Sequence, residues 1–143
     1  MKFHLKHALL ALALCLLVAS CRSDDRSPAQ QFVDHWRFVY NSHDVPSFLS
    51  LYAKEGPYVV PGMRVPVRSR LHLRLMMEQI WRSSPDMRLV LTSPLVAEGD
   101  QIAFIWEMTF TPSGATRPTK LVGSSFLIVR DGLIQHQASV TGG

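Results

Sequence analysis

The sequence is poor in cysteine, and the two cysteines that it has stand close to the beginning of the chain. They are Cys15 and Cys21, and no cysteine follows position 21. A disulfide within the rest of the chain is therefore excluded, and so is a zinc site built on several cysteine thiolates. A domain without such cross-links must be stabilised by a hydrophobic core, and 47% of the residues are hydrophobic.

A strong charge of either sign is also lacking. The formal net charge is +4, but Lys2 and Lys6 belong to the first twenty residues. From position 21 onward, 13 Lys and Arg stand against 11 Asp and Glu. A surplus of two positive charges is weak support for a nucleic-acid-binding surface. We therefore predict no nucleic-acid partner.

The apolar run Ala8–Val18 is too short to cross a bilayer, which takes about 20 residues. It follows Lys2 and Lys6 and precedes the small residues Ala19 and Ser20. This order of positive, apolar and small residues is typical of a secretory signal peptide, and an uncleaved membrane anchor is the weaker alternative. The prediction divides the chain into a signal peptide at residues 1–20, a tether at 21–28 and one domain at 29–143.

The segment Val18-Ala19-Ser20-Cys21 resembles the lipobox of bacterial lipoproteins. The resemblance implies that Cys21 receives a diacylglycerol, becomes the new N-terminus and is acylated, for instance with palmitate, which anchors the chain in the cell envelope. Arg22 and Ser23 follow. The lack of an aspartate there implies the outer membrane, facing the periplasm. Cleavage by an ordinary signal peptidase, with a free Cys21, is the alternative.

Helical spacing of apolar residues predicts three helices in the first half of the domain. Ser27 is placed to cap a helix that begins with Pro28 and ends near Asn41. Asp44 is placed to cap a second, shorter helix. A third helix is expected at about Ser69–Arg82.

Apolar and polar residues alternate in the second half, as they do in half-buried strands. The clearest case is Gln101–Thr111, in which every second residue from Ile102 to Phe110 is large and apolar. Asp131-Gly132 is a hairpin signal. The sequence predicts an α+β fold, with three N-terminal helices packed on a curved, mainly antiparallel sheet. The other predicted strands are Tyr58–Val60, Met87–Ala97, Lys120–Arg130 and Leu133–Val140.

Several short motifs follow one another in a recognisable order between Gln30 and Val140. They are Asn41-Ser42-His43-Asp44 with Leu51-Tyr52-Ala53, Pro66-Val67-Arg68-Ser69-Arg70, Pro85-Asp86-Met87-Arg88-Leu89 and Arg130-Asp131-Gly132-Leu133-Ile134. Together they resemble the SnoaL-like branch of the nuclear transport factor 2-like superfamily. The resemblance implies a cone, in which the sheet wraps round a cavity that the helices close. Its members include ketosteroid isomerases, polyketide cyclases, dehydratases, hydrolases and binding proteins.

The catalytic residues of those relatives are replaced here when positions are matched by spacing. The isomerase base, an aspartate before a proline, corresponds to Val60. The two isomerase oxyanion donors correspond to Trp36 and Ser124, and the cyclase acid of the last strand corresponds to Ser139. Valine cannot move a proton, and without a base no enolate forms for the donors to stabilise. The usual acid–base chemistry is therefore not expected.

A relocated acid or base has three weak candidates: Glu107, His43 and His136. Glu107 is opposite Trp106 in strand parity, so it faces away from the cavity if the large apolar residues face inward. His43 stands beside Asp44 like a base with its orienting group, but a helix cap and loop contact is the favoured interpretation.

His136 has the opposite strand parity to Gln135, Gln137 and Ser139. If Ser139 faces the cavity, the glutamines face it too and the histidine does not, unless a bulge exchanges the faces. The histidines are scattered without the i, i+4 pairing of zinc sites, so we predict no metal and no cofactor.

Four arginines crowd one region: Arg64, Arg68, Arg70 and Arg74. A solvated rim is the default interpretation. A site for an acidic ligand or for lipid headgroups is the alternative.

The remaining expectation is an apolar pocket that binds a small apolar molecule. Whether the protein is an enzyme stays open, and an isomerase, cyclase or dehydratase with a relocated acid or base is the alternative. A homodimer through the sheet is possible, and a third interpretation is a structural dimer whose cone is filled. The expected pocket residues are Trp36, Tyr40, Val60, Trp106, Ser124, Phe126, Gln137 and Ser139.

Overall fold

The computed structural model describes residues 25–142, so the predicted signal peptide and Cys21 lie outside the described residues. Its helices are α1 (Pro28–Ser42), α2 (Val45–Ser50) and α3 (Arg70–Ser83). Side-chain oxygens of Ser27, Asp44 and Ser69 accept hydrogen bonds from backbone N–H groups of the first turns. The three predicted helix starts are confirmed. No helix within this range is long and apolar enough to cross a membrane.

A single curved sheet of seven strands carries the helices on one side. Its order is β2-β1-β7-β6-β5-β3, and β4 also pairs with β5. Only the β1–β7 pair is parallel within residues 25–142, so the predicted α+β class with a mainly antiparallel sheet is confirmed. The strands are β1 (Glu55–Tyr58), β2 (Val67–Ser69), β3 (Arg88–Leu91), β4 (Val96–Glu98), β5 (Gln101–Phe110), β6 (Thr119–Arg130) and β7 (Leu133–Thr141).

Two strand predictions need correction. The single strand predicted at Met87–Ala97 is interrupted between Leu91 and Val96, because Pro94 has no N–H to donate and the segment bulges away from β5. The first strand, predicted at Tyr58–Val60, lies earlier and ends at Tyr58. The short strand β2 is an addition, since no strand is among the predictions for that segment.

The inner face of the sheet, on which the helices pack, is built around β5. Ile102, Phe104, Trp106 and Met108 are buried there, as the alternation predicted. The ring of Trp36 in α1 lies 5.4 Å from that of Phe104, which identifies this face as the inner one. The indole of Trp106 lies against the backbone of Gly123 in β6, where a Cβ atom would overlap the ring.

A bulge near the start of β7 changes which side chains face inward. The hairpin Asp131-Gly132, with both residues at positive φ, pairs Val129 with Ile134, but Ile128 pairs with His136. Gln135 is therefore the extra residue. Ile134 and Gln137 are both buried, three positions apart. The prediction that Gln135 shares a face with Gln137 is wrong for this reason.

Candidate functional site

The inside of the cone contains a continuous chain of uncharged hydrogen bonds. Nε1 of Trp36 donates to the hydroxyl of Tyr52 over 3.0 Å, and that hydroxyl donates to Oε1 of Gln137 over 2.6 Å. Nε2 of Gln137 donates to Oγ of Ser139 over 3.3 Å. These bonds connect α1 and the end of α2 to the last strand.

The chain continues across the sheet to the second buried tryptophan. Oγ of Ser139 lies 2.8 Å from Oγ of Ser125, and Nε1 of Trp106 donates to Ser125 over 2.9 Å. We call these six residues the interior chain. They are Trp36, Tyr52, Gln137, Ser139, Ser125 and Trp106.

The interior chain is built to hold side chains in place rather than to move a proton. Burial raises the pKa of Tyr52 well above its ordinary value, so its phenol stays protonated and keeps donating to Gln137. The other five members are neutral at any physiological pH. Each buried polar side-chain atom of the interior chain has a hydrogen-bond partner. Burying these groups inside the cone therefore does not leave a donor or acceptor unpaired.

Empty space lies instead at one end of the cone, between α3 and the ends of the central strands. A cavity of about 410 Å³ opens there, and we call it the methionine cleft. The hydroxyl of Tyr40 lies behind its wall, 3.3 Å from the sulfur of Met87 and 3.5 Å from that of Met108. The lining residues are Gly62, Met63, Arg64, Val65, Met76, Gln79, Ile80, Ser83, Ser84, Met87, Met108, Phe110 and Leu121.

A second opening, the rear cleft, lies on the other side of the turn that carries Met63. Gly62 has φ of +93°, and the N–H of Met63 donates to the carbonyl of Val60 over 3.0 Å, which closes the turn. Met63 and Leu121 line both openings. The rear cleft has a volume of about 460 Å³ and also reaches Ser139, so the interior chain meets the surface there.

The sequence itself matches a known family over most of its length. Residues 29–137 match the model of the SnoaL-like domain. The chain belongs to the SnoaL-like family. No curated protein matches the sequence.

Solved structures share the fold of this SnoaL-like protein at low identity. A protein of ketosteroid isomerase-like fold from Catenulispora acidiphila, in complex with trimethylamine, has a TM-score of 0.71 and 16% identity, covering 80% of this chain and 86% of that one. TerC, co-crystallised with polyporic acid, has a TM-score of 0.69 and 16% identity over 81% and 92% of the chains. A candidate polyketide cyclase from Pseudomonas putida has a TM-score of 0.64 and 17% identity over 82% and 93%. These similarities show the nuclear transport factor 2-like fold and leave the function to the site.

Of the three candidate acids and bases, Glu107 and His136 lie on the outer face of the SnoaL-like sheet. Oε2 of Glu107 forms an ion pair with Nζ of Lys120 at 2.9 Å. The ring of His136 lies edge-on to that of Phe126 at 6.2 Å. Glu107 lies between the buried residues Trp106 and Met108, and His136 directly precedes the buried Gln137, so both side chains point away from the interior chain.

The third candidate, His43, ends α1 in the left-handed conformation. Its ring stacks on Trp81 at 5.1 Å, and its Nε2 donates to the carbonyl oxygen of Met87 over 3.0 Å. Burial lowers the pKa of His43, which favours the neutral ring. Asp44 accepts from Ser47 as the cap of α2, so the two neighbours have separate structural roles.

The expected pocket residues separate into three groups. Trp36, Tyr40, Val60, Trp106 and Gln137 are buried inside the cone. Ser139 lines the rear cleft.

Ser124 and Phe126 form the third group, and here the structure corrects the expectation. They lie on the outer face, since they pair with Ile105 and Ala103 rather than with inward-facing residues. The hydroxyl that does face inward is that of Ser125. Alternation along the strand decides which face a side chain takes, whereas Ser124 was chosen by matching its position to that of a catalytic residue in relatives.

Sequence reasoning also missed Tyr52 and the methionines of the cleft. In the sequence Tyr52 stands out only as part of the motif Leu51-Tyr52-Ala53, and its partner Gln137 lies 85 positions away. The methionines of the cleft gave a weak signal, because methionine is an ordinary core residue. Within residues 25–142, no group of three or more His, Cys, Asp or Glu side chains is placed to hold a metal ion.

Proposed function

We propose that this SnoaL-like protein is a lipoprotein of the bacterial cell envelope that binds a small apolar molecule in the methionine cleft. The observation that carries the proposal is the composition of the cleft. Among residues 25–142, Arg64 is the one charged residue that lines the cleft, and no carboxylate or imidazole of this range lines it. Such a site can hold an apolar ligand, but it offers no group for general acid–base catalysis.

The four methionines of the cleft favour a flat or irregular apolar ligand. Thioether side chains are flexible and polarizable, so they adapt to a ligand surface and contact aromatic rings favourably. Their residues are Met63, Met76, Met87 and Met108. Gln79, Ser83 and Ser84 add the few polar groups that would orient a ligand.

Native mass spectrometry of the protein purified from its own envelope is the direct test. We expect a small apolar molecule bound to the folded protein. A titration with the apolar dye N-phenyl-1-naphthylamine then locates the site. Met76→Glu, which places a charge in the cleft wall, should weaken dye binding about tenfold or more. Phe38→Glu, at an exposed position of α1, is the matched control. Equal effects of the two variants would contradict the proposed site.

The anchor is tested by growth with labelled palmitate. We propose that Cys21 carries the lipid and holds the protein in the outer membrane, facing the periplasm. Cys21→Ala should lose the label and leave the membrane fraction, whereas Cys15→Ala, within the leader, should keep both. Label that persists in Cys21→Ala would reject the lipoprotein.

An enzyme remains the second candidate, and one observation favours His43 as its base. Its hydrogen-bond partner Met87 also lines the methionine cleft. If the protein converts its co-purified ligand and His43→Asn abolishes conversion without reducing binding, catalysis replaces simple binding. Glu107→Gln and His136→Gln are the controls on the outer face.

We also propose that the outer face of the sheet supports a homodimer. Val90, Ile105, Val122 and Val140 are 44–65% exposed on that face. Glu107 pairs with both Val90 and Val122, so an ion pair lies among these apolar side chains. Light scattering should report twice the monomer mass, and Ile105→Arg should halve it. A wild-type monomer at micromolar concentration would contradict the dimer.

A further inference from the structure

A groove of about 440 Å³ separates α2 from the first two turns of α3. Arg70 and Arg74, one helical turn apart, stand along one side, and Leu71 beside them is 64% exposed. The groove is distinct from the methionine cleft, since the two share no lining residue. Its remaining lining residues are Pro46, Leu49 and Ser50.

The positive charge at this groove is not neutralised within the described part of the chain. No carboxylate oxygen there lies within 4.0 Å of Arg68, Arg70 or Arg74. The nearby acids along these elements are Glu55, whose strand partner is Ser69, and Glu78, one turn beyond Arg74. The first turn of α3 contains no acidic residue, so the positive end of the helix dipole adds to the arginines.

Exposed leucines lie on the same surface as the arginines. Leu71 and Leu75, at i and i+4 on α3, are 64% and 56% exposed. Arg74, at i+3 from Leu71, is its neighbour on the helix surface, and the two line the same groove. Apolar side chains beside cationic ones are the combination that inserts into a bilayer interface and contacts anionic headgroups.

The groove lies at the end of the fold where the tether begins. The start of α1 and Val129 line the same cavity, and Val129 pairs with Ile134. The N–H of Ile134 donates to the carbonyl of Leu51 over 2.8 Å, and Leu51 follows the groove residue Ser50. Pro28 is seven positions after Cys21, and a chain of that length spans at most about 25 Å when extended. A lipid on Cys21 would therefore hold this end close to the bilayer.

We propose that this surface, formed by Arg70, Leu71, Arg74 and Leu75, docks on a bilayer that contains anionic phospholipid. The arginines contact the phosphate groups, and the leucines enter the interface. The methionine cleft is lined by a later part of α3, from Met76 to Ser83, and shares no lining residue with the groove. The biological setting rests on the proposed lipoprotein, but the surface itself acts without the acyl chains.

Vesicle flotation of the unlipidated mature chain, from residue 21 with Cys21→Ser, tests the surface separately from the anchor. We expect binding to vesicles with 30% phosphatidylglycerol and about tenfold weaker binding to pure phosphatidylcholine. The double variant Arg70→Gln with Arg74→Gln should reduce binding to the phosphatidylglycerol vesicles by about tenfold or more. Arg82→Gln with Arg117→Gln removes the same charge elsewhere and should have little effect. Leu71→Ser should weaken binding even at low salt.

Three outcomes would overturn the docking surface. The first is an absence of binding to phosphatidylglycerol vesicles. The second is an equal loss in both double variants, which would indicate net charge alone. The third is tight binding of inorganic phosphate at Arg70 and Arg74 that leaves vesicle binding unchanged, which would identify a free phosphate site. Each result is independent of palmitate labelling at Cys21, so failure of the anchor and failure of the surface are distinguishable.

Discussion

The hydroxyl of Tyr52 donates a 2.6 Å hydrogen bond to Oε1 of Gln137 inside the cone. The hydroxyl oxygen of Tyr52 also accepts a hydrogen bond from the indole N–H of Trp36. One phenol therefore connects the helical layer to the last strand, at the centre of the region where relatives are expected to place their chemistry. In this protein the region is occupied by side chains that satisfy each other.

Removing the Tyr52 hydroxyl should destabilise the fold more than the loss of a single hydrogen bond would. Tyr52→Phe leaves the N–H of Trp36 and the Oε1 of Gln137 without a partner in a buried site, which should cost about 2–4 kcal/mol. Tyr58→Phe, the control, removes a single bond to the carbonyl of Ala53 and should cost about 1 kcal/mol. Urea unfolding measures both. Equal costs would mean that water replaces the lost hydroxyl.

A methyl group at Gly123 should be poorly tolerated. A Cβ atom there would overlap the Trp106 ring and the carbonyl oxygen of Val140, so Gly123→Ala forces the indole or the strand to move. We expect a loss of about 2 kcal/mol or more in the free energy of unfolding. Gly142→Ala, whose nearest contact is at 3.5 Å, should lie within about 0.5 kcal/mol of wild type.

Acid should reduce stability partly through His43. Burial lowers the pKa of this imidazole below its ordinary value of 6.5, so the unfolded chain takes up the proton first as the pH falls. The contribution of the neutral His43 ring to the free energy of unfolding is complete above pH 6.5. It is lost as the pH falls from that value to the lowered pKa. Urea midpoints measured from pH 8 to pH 5 should therefore fall less steeply in His43→Gln. Parallel slopes would exclude His43 as the source.

Glu107 should be dispensable for the stability of the monomer. Its ion pair with Lys120 is on the outer face, where the two side chains are 26% and 62% exposed, and such pairs contribute about 0–1 kcal/mol. Glu107→Gln should shift the urea midpoint little and leave dye binding in the methionine cleft unchanged. A tenfold loss of dye affinity would place Glu107 in the site after all.

The predictable part of the fold is the part fixed by local rules. Ser27, Asp44 and Ser69 accept hydrogen bonds at helix starts because a short polar side chain can reach the next turn. The inner face of β5 follows from strict alternation, since a strand of period two has no other way to bury Trp106 and its neighbours.

What the sequence could not predict depends on interruptions and on distant pairings. Pro94 broke a pattern that alternation alone extended to Ala97. The extra residue Gln135 separated two glutamines that simple parity placed together. Ser125 replaced Ser124 in the site because the face is set by the pairing with Phe104, which spacing from a relative does not contain.

The contact between Trp106 and Gly123 means that one substitution could reopen space inside the filled cone. The indole fits only because Gly123, which faces it, has no side chain. Trp106 therefore supplies most of the volume that fills this part of the cone. Trp106→Ala would cost about 3–5 kcal/mol and leave a hollow beside the hydroxyl of Ser125, which now accepts from the indole. The protein thus holds, one substitution away, a ready-made chamber in which a designed acid or base could be installed.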